Sequence, residues 1–106
     1  MQFVEYHNVS ITICDIDAKV VYQNDISKRT FGDVLGRSLF DCHPPKASEK
    51  IRELLSNDGT NVYTISKKGL KKMIYQTSWK NENGEIKGLI EYSMVIPEDM
   101  PHYVRN

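Results

Sequence analysis

The chain has 106 residues, in which fourteen Lys and Arg balance fourteen Asp and Glu. That length suits one hydrophobic core, read as one domain over residues 1–106 with its core at about 9–97. The charge balance excludes a global field drawing the chain to nucleic acid or to an anionic membrane, and no apolar run approaches the ~20 residues that span a bilayer, so neither partner is expected.

The N-terminal residues, interrupted by Glu5 and His7, do not read as a signal peptide. Ile11 to Cys14 is β-branched and alternating, which predicts a strand. Asp15, Asp17 and Ala18 carry turn chemistry, and Lys19 to Gln23 resumes as a second strand. Asn24 stands before Asp-Ile-Ser-Lys-Arg-Thr-Phe, where its side chain can cap a short helix and Asp25 suits the positive end of the dipole. Gly32 and Gly36 then punctuate a connector that ends at Leu39 and Phe40.

His43-Pro44-Pro45 opens the most strongly helical segment, because proline is tolerated where the first N–H groups have no partners. Ala47, Ile51, Leu54 and Leu55 form its apolar stripe, and Asn57-Asp58-Gly59 ends it, with Gly59 suited to the left-handed position. Three further strands are predicted near 60–67, 71–80 and 86–96, divided by Lys68-Gly69 and by Asn81-Glu82-Asn83-Gly84. Met73, Tyr75 and Trp79 share one face of the middle strand, with Ile74, Gln76 and Ser78 on the other. Such two-sided apolar patterning predicts a contact surface around these three side chains, read as a homodimer or effector interface.

This order of elements resembles a PAS domain, a small sensor module, over residues 9–97. The matching residues are Asp15 ending the first strand, Asn24 at the helix cap, Phe31-Gly32 and Leu35-Gly36-Arg37 in the connector, and Asn83-Gly84 with Gly88 at the last hairpin. His43-Pro44-Pro45-Lys46 is similar to a run in a bacterial subset of these modules, and Ala18 departs from the glycine usual in the first turn. The resemblance implies an α+β fold, a five-stranded antiparallel sheet with short helices packed on one face around a central pocket. It implies signal sensing through a small ligand, with output through a dimer or a neighbouring effector; the other reading is a module used only for association. No catalytic motif or multi-ligand metal spacing is present, so an enzyme is not expected.

If the cupped face follows the flavin-binding members, Val62, Thr64, Ile74, Gln76, Ile90 and Tyr92 point inward, joined by Thr12 and Cys14. Leu39, Phe40, Ile51, Leu54 and Leu55 would close the far wall. His43 could ligate haem iron or simply bond a nearby carbonyl. Gln76, as a buried amide, must find partners in a ligand or in Thr64 or Tyr92. Cys14 and Cys42 read as thiols of a reducing cytoplasm, and the run around Cys42 lacks the sequence of the flavin photosensors. Neither haem nor flavin is therefore expected, and no cofactor is assigned. The cluster Lys67, Lys68, Lys71 and Lys72 reads as a solvated hairpin.

Overall fold

The computed structural model describes residues 2–41 and 43–106, so the reading of Cys42 lies outside the described residues. In chain order the elements are α1 (Gln2–Glu5), β1 (Ser10–Asp15), β2 (Val20–Gln23), α2 (Asp25–Phe31), a 3-10 turn at Leu39–Asp41, α3 (Pro45–Ser56), β3 (Thr60–Lys67), β4 (Leu70–Lys80) and β5 (Ile86–Val95). The strands form one antiparallel sheet in the order β2-β1-β5-β4-β3. The first two strands join the meander through β5, and the expected five-stranded antiparallel α+β architecture is present.

Local chemistry explains most boundaries. The Asn24 side chain accepts from the Ser27 amide, capping α2 as its position suggests. The same side chain accepts from the Ile11 amide and donates to the carbonyls of Val4 and Val9, tying the N-terminal segment to the sheet. Helix α1 was not legible in the sequence; Glu5 on it accepts from the Tyr22 hydroxyl at 3.0 Å. At the first turn the Asp15 carboxylate accepts from the amides of Asp17 and Lys19, and Ala18 takes the left-handed conformation (φ 64°) in place of glycine.

Pro45 occupies the first turn of α3, and Ser48, Ile51 and Leu54 are its buried residues. Its end differs from expectation. Asn57 closes it in an extended conformation, and Gly59 has no positive φ. Space there is tight instead, since a Cβ would lie 3.3 Å from Leu54 Cδ2 and that side chain would have to give by a few tenths of an ångström. Helix α3 is tied to β4 by the Ser78 hydroxyl, which donates to the Leu54 carbonyl at 2.6 Å.

The core sits between α3 and one end of the sheet, where Cys14, Ala18, Val20, Leu39, Ile51, Leu54 and Leu89 pack together, with Phe40 and Leu55 against them. Among the described residues no helix is long and apolar enough to cross a membrane.

Candidate functional site

Strand register decides which side chains face the helices. The two-residue turn Lys68-Gly69 pairs Tyr63 with Ile74 and Asn61 with Gln76. In the next hairpin the register shifts at Trp79/Lys80: Lys80 faces Ile86, whereas Trp79 faces Gly88. One extra residue, Lys87, is therefore accommodated as a bulge, and Gln76 pairs with Glu91. Glu91 in turn pairs with Thr12, and Thr12 with Gln23.

The result is a row of five cross-strand neighbours, Gln23, Thr12, Glu91, Gln76 and Asn61, one from each strand and all on the concave face. Every member is polar. Buried polar groups are costly unless partnered, and this row is largely self-satisfied. Asn61 donates to Gln76 Oε1 at 3.0 Å, and Gln76 donates to Glu91 Oε2 at 2.7 Å. Gln23 donates to Ser27 Oγ and to the Gly32 carbonyl while accepting from the Val34 amide, and Thr12 shares a 2.6 Å hydroxyl contact with Ser27.

Over the row lie two adjoining cavities. The first, of about 200 Å³, is lined by Thr12, Gln23, Phe31, Val34, Leu39, His43 and Glu91. The second, of about 140 Å³, shares Phe31, His43 and Glu91 and adds Tyr63, Ile65, Lys67, Lys72, Ile74 and Ser93 among its lining. A shallower space beside α3 is lined by Lys46, Ala47, Lys50, Asn61, Tyr63 and Gln76.

His43 stands at the junction of the first two cavities. Its Nδ1 lies 2.8 Å from the Leu39 carbonyl, and its Nε2 lies 3.8 Å from Glu91 Oε2. The Glu91 carboxylate holds the imidazolium above its ordinary pKa, against the opposing effect of burial. Burial pushes the Cys14 thiol up to about 11, leaving it protonated and unreactive.

The expected site residues divide accordingly. Thr12, Leu39, His43, Ile74 and Gln76 reach the cavities or the space beside them. Cys14, Ile51 and Leu54, with Phe40 and Leu55 packed on them, belong to the filled core instead. Val62, Thr64, Ile90 and Tyr92 are corrected: their register partners Tyr75, Met73, Thr77 and again Tyr75 place them on the convex face. The bulge is the cause in β5, because counting back from Asn83-Gly84 without it pairs Gln76 with Ile90 and turns the strand over. Glu91 was missed for the same reason; in β3 the unbulged register set by the Lys68-Gly69 turn puts Asn61 and Tyr63, instead of Val62 and Thr64, on the concave face. Gly88 inside a strand pattern was the available signal of a bulge, and a Cβ there would collide with the Cys14 carbonyl and the Trp79 indole.

Gln76 finds its partners in Asn61 and Glu91, not in Thr64 or Tyr92. Lys67 and Lys72, expected as plain hairpin charges, line the second cavity. Met73, Tyr75 and Trp79 do share the convex face, where the Tyr75 and Tyr92 rings meet edge-on with centroids 6.2 Å apart. Trp79 is partly used within the fold, its indole donating across Gly88 to the Cys14 carbonyl at 2.9 Å. Among the described residues no group of three His, Cys, Asp or Glu side chains could hold a metal ion. Haem does not fit well at His43, whose Nε2 is turned toward the Glu91 carboxylate.

No family model and no curated protein matches the chain. Solved structures do. The PAS domain of the histidine kinase ThkA is 20% identical, with a TM-score of 0.67, over 83% of this chain and 99% of that one. The PAS domain of Bordetella pertussis BvgS is 18% identical, with a TM-score of 0.66, over 92% of this chain and 84% of that one. VqmA of Vibrio cholera, in a complex with ligand and DNA, is 15% identical with a TM-score of 0.69, over 89% of this chain but 49% of that one. Likeness at these identities establishes the fold, and the fold is that of PAS domains.

Proposed function

We propose that the chain is a signal-sensing PAS module, one unit over residues 1–106, that binds a small molecule in the cavities above the concave polar row and relays the change through a dimer or a neighbouring effector. The observation that carries this reading is the row itself. A domain whose concave face served only as a core would gain from apolar side chains at Glu91, Gln76 and Thr12, whereas polar groups facing a hollow suit recognition. VqmA, of the same fold, is described with a ligand, which supports the reading by analogy. The module acts without catalysis of its own and without nucleic-acid contacts, in keeping with its balanced charge, and its unpaired, buried Cys14 suits the cytoplasm. Native mass spectrometry of freshly purified protein tests this directly. A retained small molecule is expected; apo protein from several hosts and growth media would count against it.

The second reading, association without a ligand, draws on the convex face. There β4 and β5 present Met73, Tyr75, Ile90, Tyr92 and Met94, while Phe3 and Tyr6 near the N-terminus are 85% and 83% exposed. An apolar convex face of this kind suits a second copy of the chain. Tyr75→Asp is the cleaner test than Trp79→Asp, because Trp79 also bonds within the fold. Sedimentation should shift toward monomer; an unchanged distribution argues against this surface.

A further inference from the structure

The geometry around His43 narrows the kind of molecule the site would take. A carbonyl oxygen can only accept, so the 2.8 Å contact to Leu39 puts the proton of a neutral His43 on Nδ1. Nε2 then carries a bare lone pair, and it faces a carboxylate oxygen of Glu91 at 3.8 Å. Two acceptors thus point at one another across a gap too long for a direct hydrogen bond. Only a donor resolves that arrangement. Gln76 already serves the same Glu91 oxygen from the other side, and the Gln23 amide is fully committed to Ser27, Gly32 and Val34. Thr12 spends its hydroxyl on Ser27 Oγ at 2.6 Å, and the rest of the first cavity's wall is apolar, formed by Phe31, Val34 and Leu39.

We propose that the first cavity takes a compact, largely apolar ligand bearing a cationic nitrogen donor, an amine or amidine, which bridges Glu91 and His43 Nε2. This deepens the ligand-sensing reading and rests on it. The nitrogen forms charge-assisted bonds to the carboxylate, and the apolar body packs on Phe31, Val34 and Leu39. A proton on His43 supplies the missing donor itself, so protonation and ligand compete. Other ionisable groups near this pair come from β3, β4 and α3, while β1, β2 and α2 contribute Thr12, Gln23, Thr30 and Phe31 to the lining. Tyr63 and Lys67 approach from β3, Lys72 from β4, and Lys46 and Lys50 from α3 across the space that Asn61 and Gln76 line. The lysines line the second and the outer spaces, and none lines the first cavity, where Glu91 is the one acidic group.

The probes are three compounds of one shape and different charge: benzamidine, benzyl alcohol and benzoate, titrated by calorimetry and ligand-observed NMR. At about pH 8, benzamidine should bind at least about tenfold more tightly than benzoate. Glu91→Gln, which keeps the shape and the bond to Gln76, should weaken benzamidine by about tenfold or more. Benzamidine keeps its charge throughout, so its affinity should fall by up to about tenfold per pH unit below the His43 pKa, and His43→Gln should remove that slope. Benzoate binding as tightly as benzamidine, through Lys67 and Lys72, overturns the ligand class while leaving ligand sensing intact. An unchanged benzamidine affinity in Glu91→Gln overturns it too. Failure of all three probes, together with native spectra that never show a retained compound, overturns both this inference and the sensing reading.

Discussion

Under α3 the concave face of the sheet closes on Cys14, Val20, Leu39, Ile51, Leu54 and Leu89, all nearly inaccessible to solvent. A few residues along the same strands, beneath α2 and the connector, the face turns polar and stands away from its cover, leaving two adjoining cavities. One end is held by close packing, where lost volume is felt directly. The other is held by hydrogen bonds among Gln23, Ser27, Thr12, Gln76 and Glu91. The contrast teaches that this sheet separates stability from recognition along its strands: the packed end can be left alone while the hollow end changes.

The contrast is open to breakage at each end. Ile51→Ala should cost about 2–5 kcal/mol in denaturant unfolding, because the side chain is fully buried in the filled core. A loss below about 1 kcal/mol would mean that the packed end is not packed. At the hollow end, Gln23→Leu should cost less, about 1–3 kcal/mol, since it strands the Val34 amide and the Gly32 carbonyl without removing volume. Glu91→Gln should change stability by no more than about 1 kcal/mol, because the Gln76 bond survives the substitution. If Glu91→Gln proved as costly as Ile51→Ala, the division between the two ends would fail.

The smallest effect sharpens the comparison through pH. His43 has a folded pKa raised above its ordinary value by Glu91. Its contribution is therefore fully present below about pH 6.5 and lost as pH rises through the folded value. Unfolding curves of wild type and His43→Gln should differ most in mild acid and converge in mild alkali; a gap that widens with pH would contradict the ion pair.

Much of the architecture could be read from the residues. Asn24 before Asp25, the Pro44-Pro45 opening of α3 and the turns at Lys68-Gly69 and Asn83-Gly84 each state a local rule that the structure keeps. The site was harder. Apolar side chains are expected inward, yet β5 turns Ile90, Tyr92 and Met94 to the convex face and Glu91 to the concave one. A single bulged residue at Lys87 produces that inversion, and a strand carrying apolar groups on both faces offers no pattern to correct it. The contacts of Asn24 with Val4 and Val9 escape sequence reading for another reason: they join segments far apart in the chain by backbone carbonyls, which carry no residue signature.

A crystal structure of the protein purified directly from its host, without added ligand, puts the ligand-holding role of the hollow end to its hardest trial. Electron density for a small molecule is expected above the Thr12–Glu91–Gln76 row, in contact with the Glu91 carboxylate. Phe31 and Val34 collapsed onto Glu91, with the space filled by side chains, would contradict it.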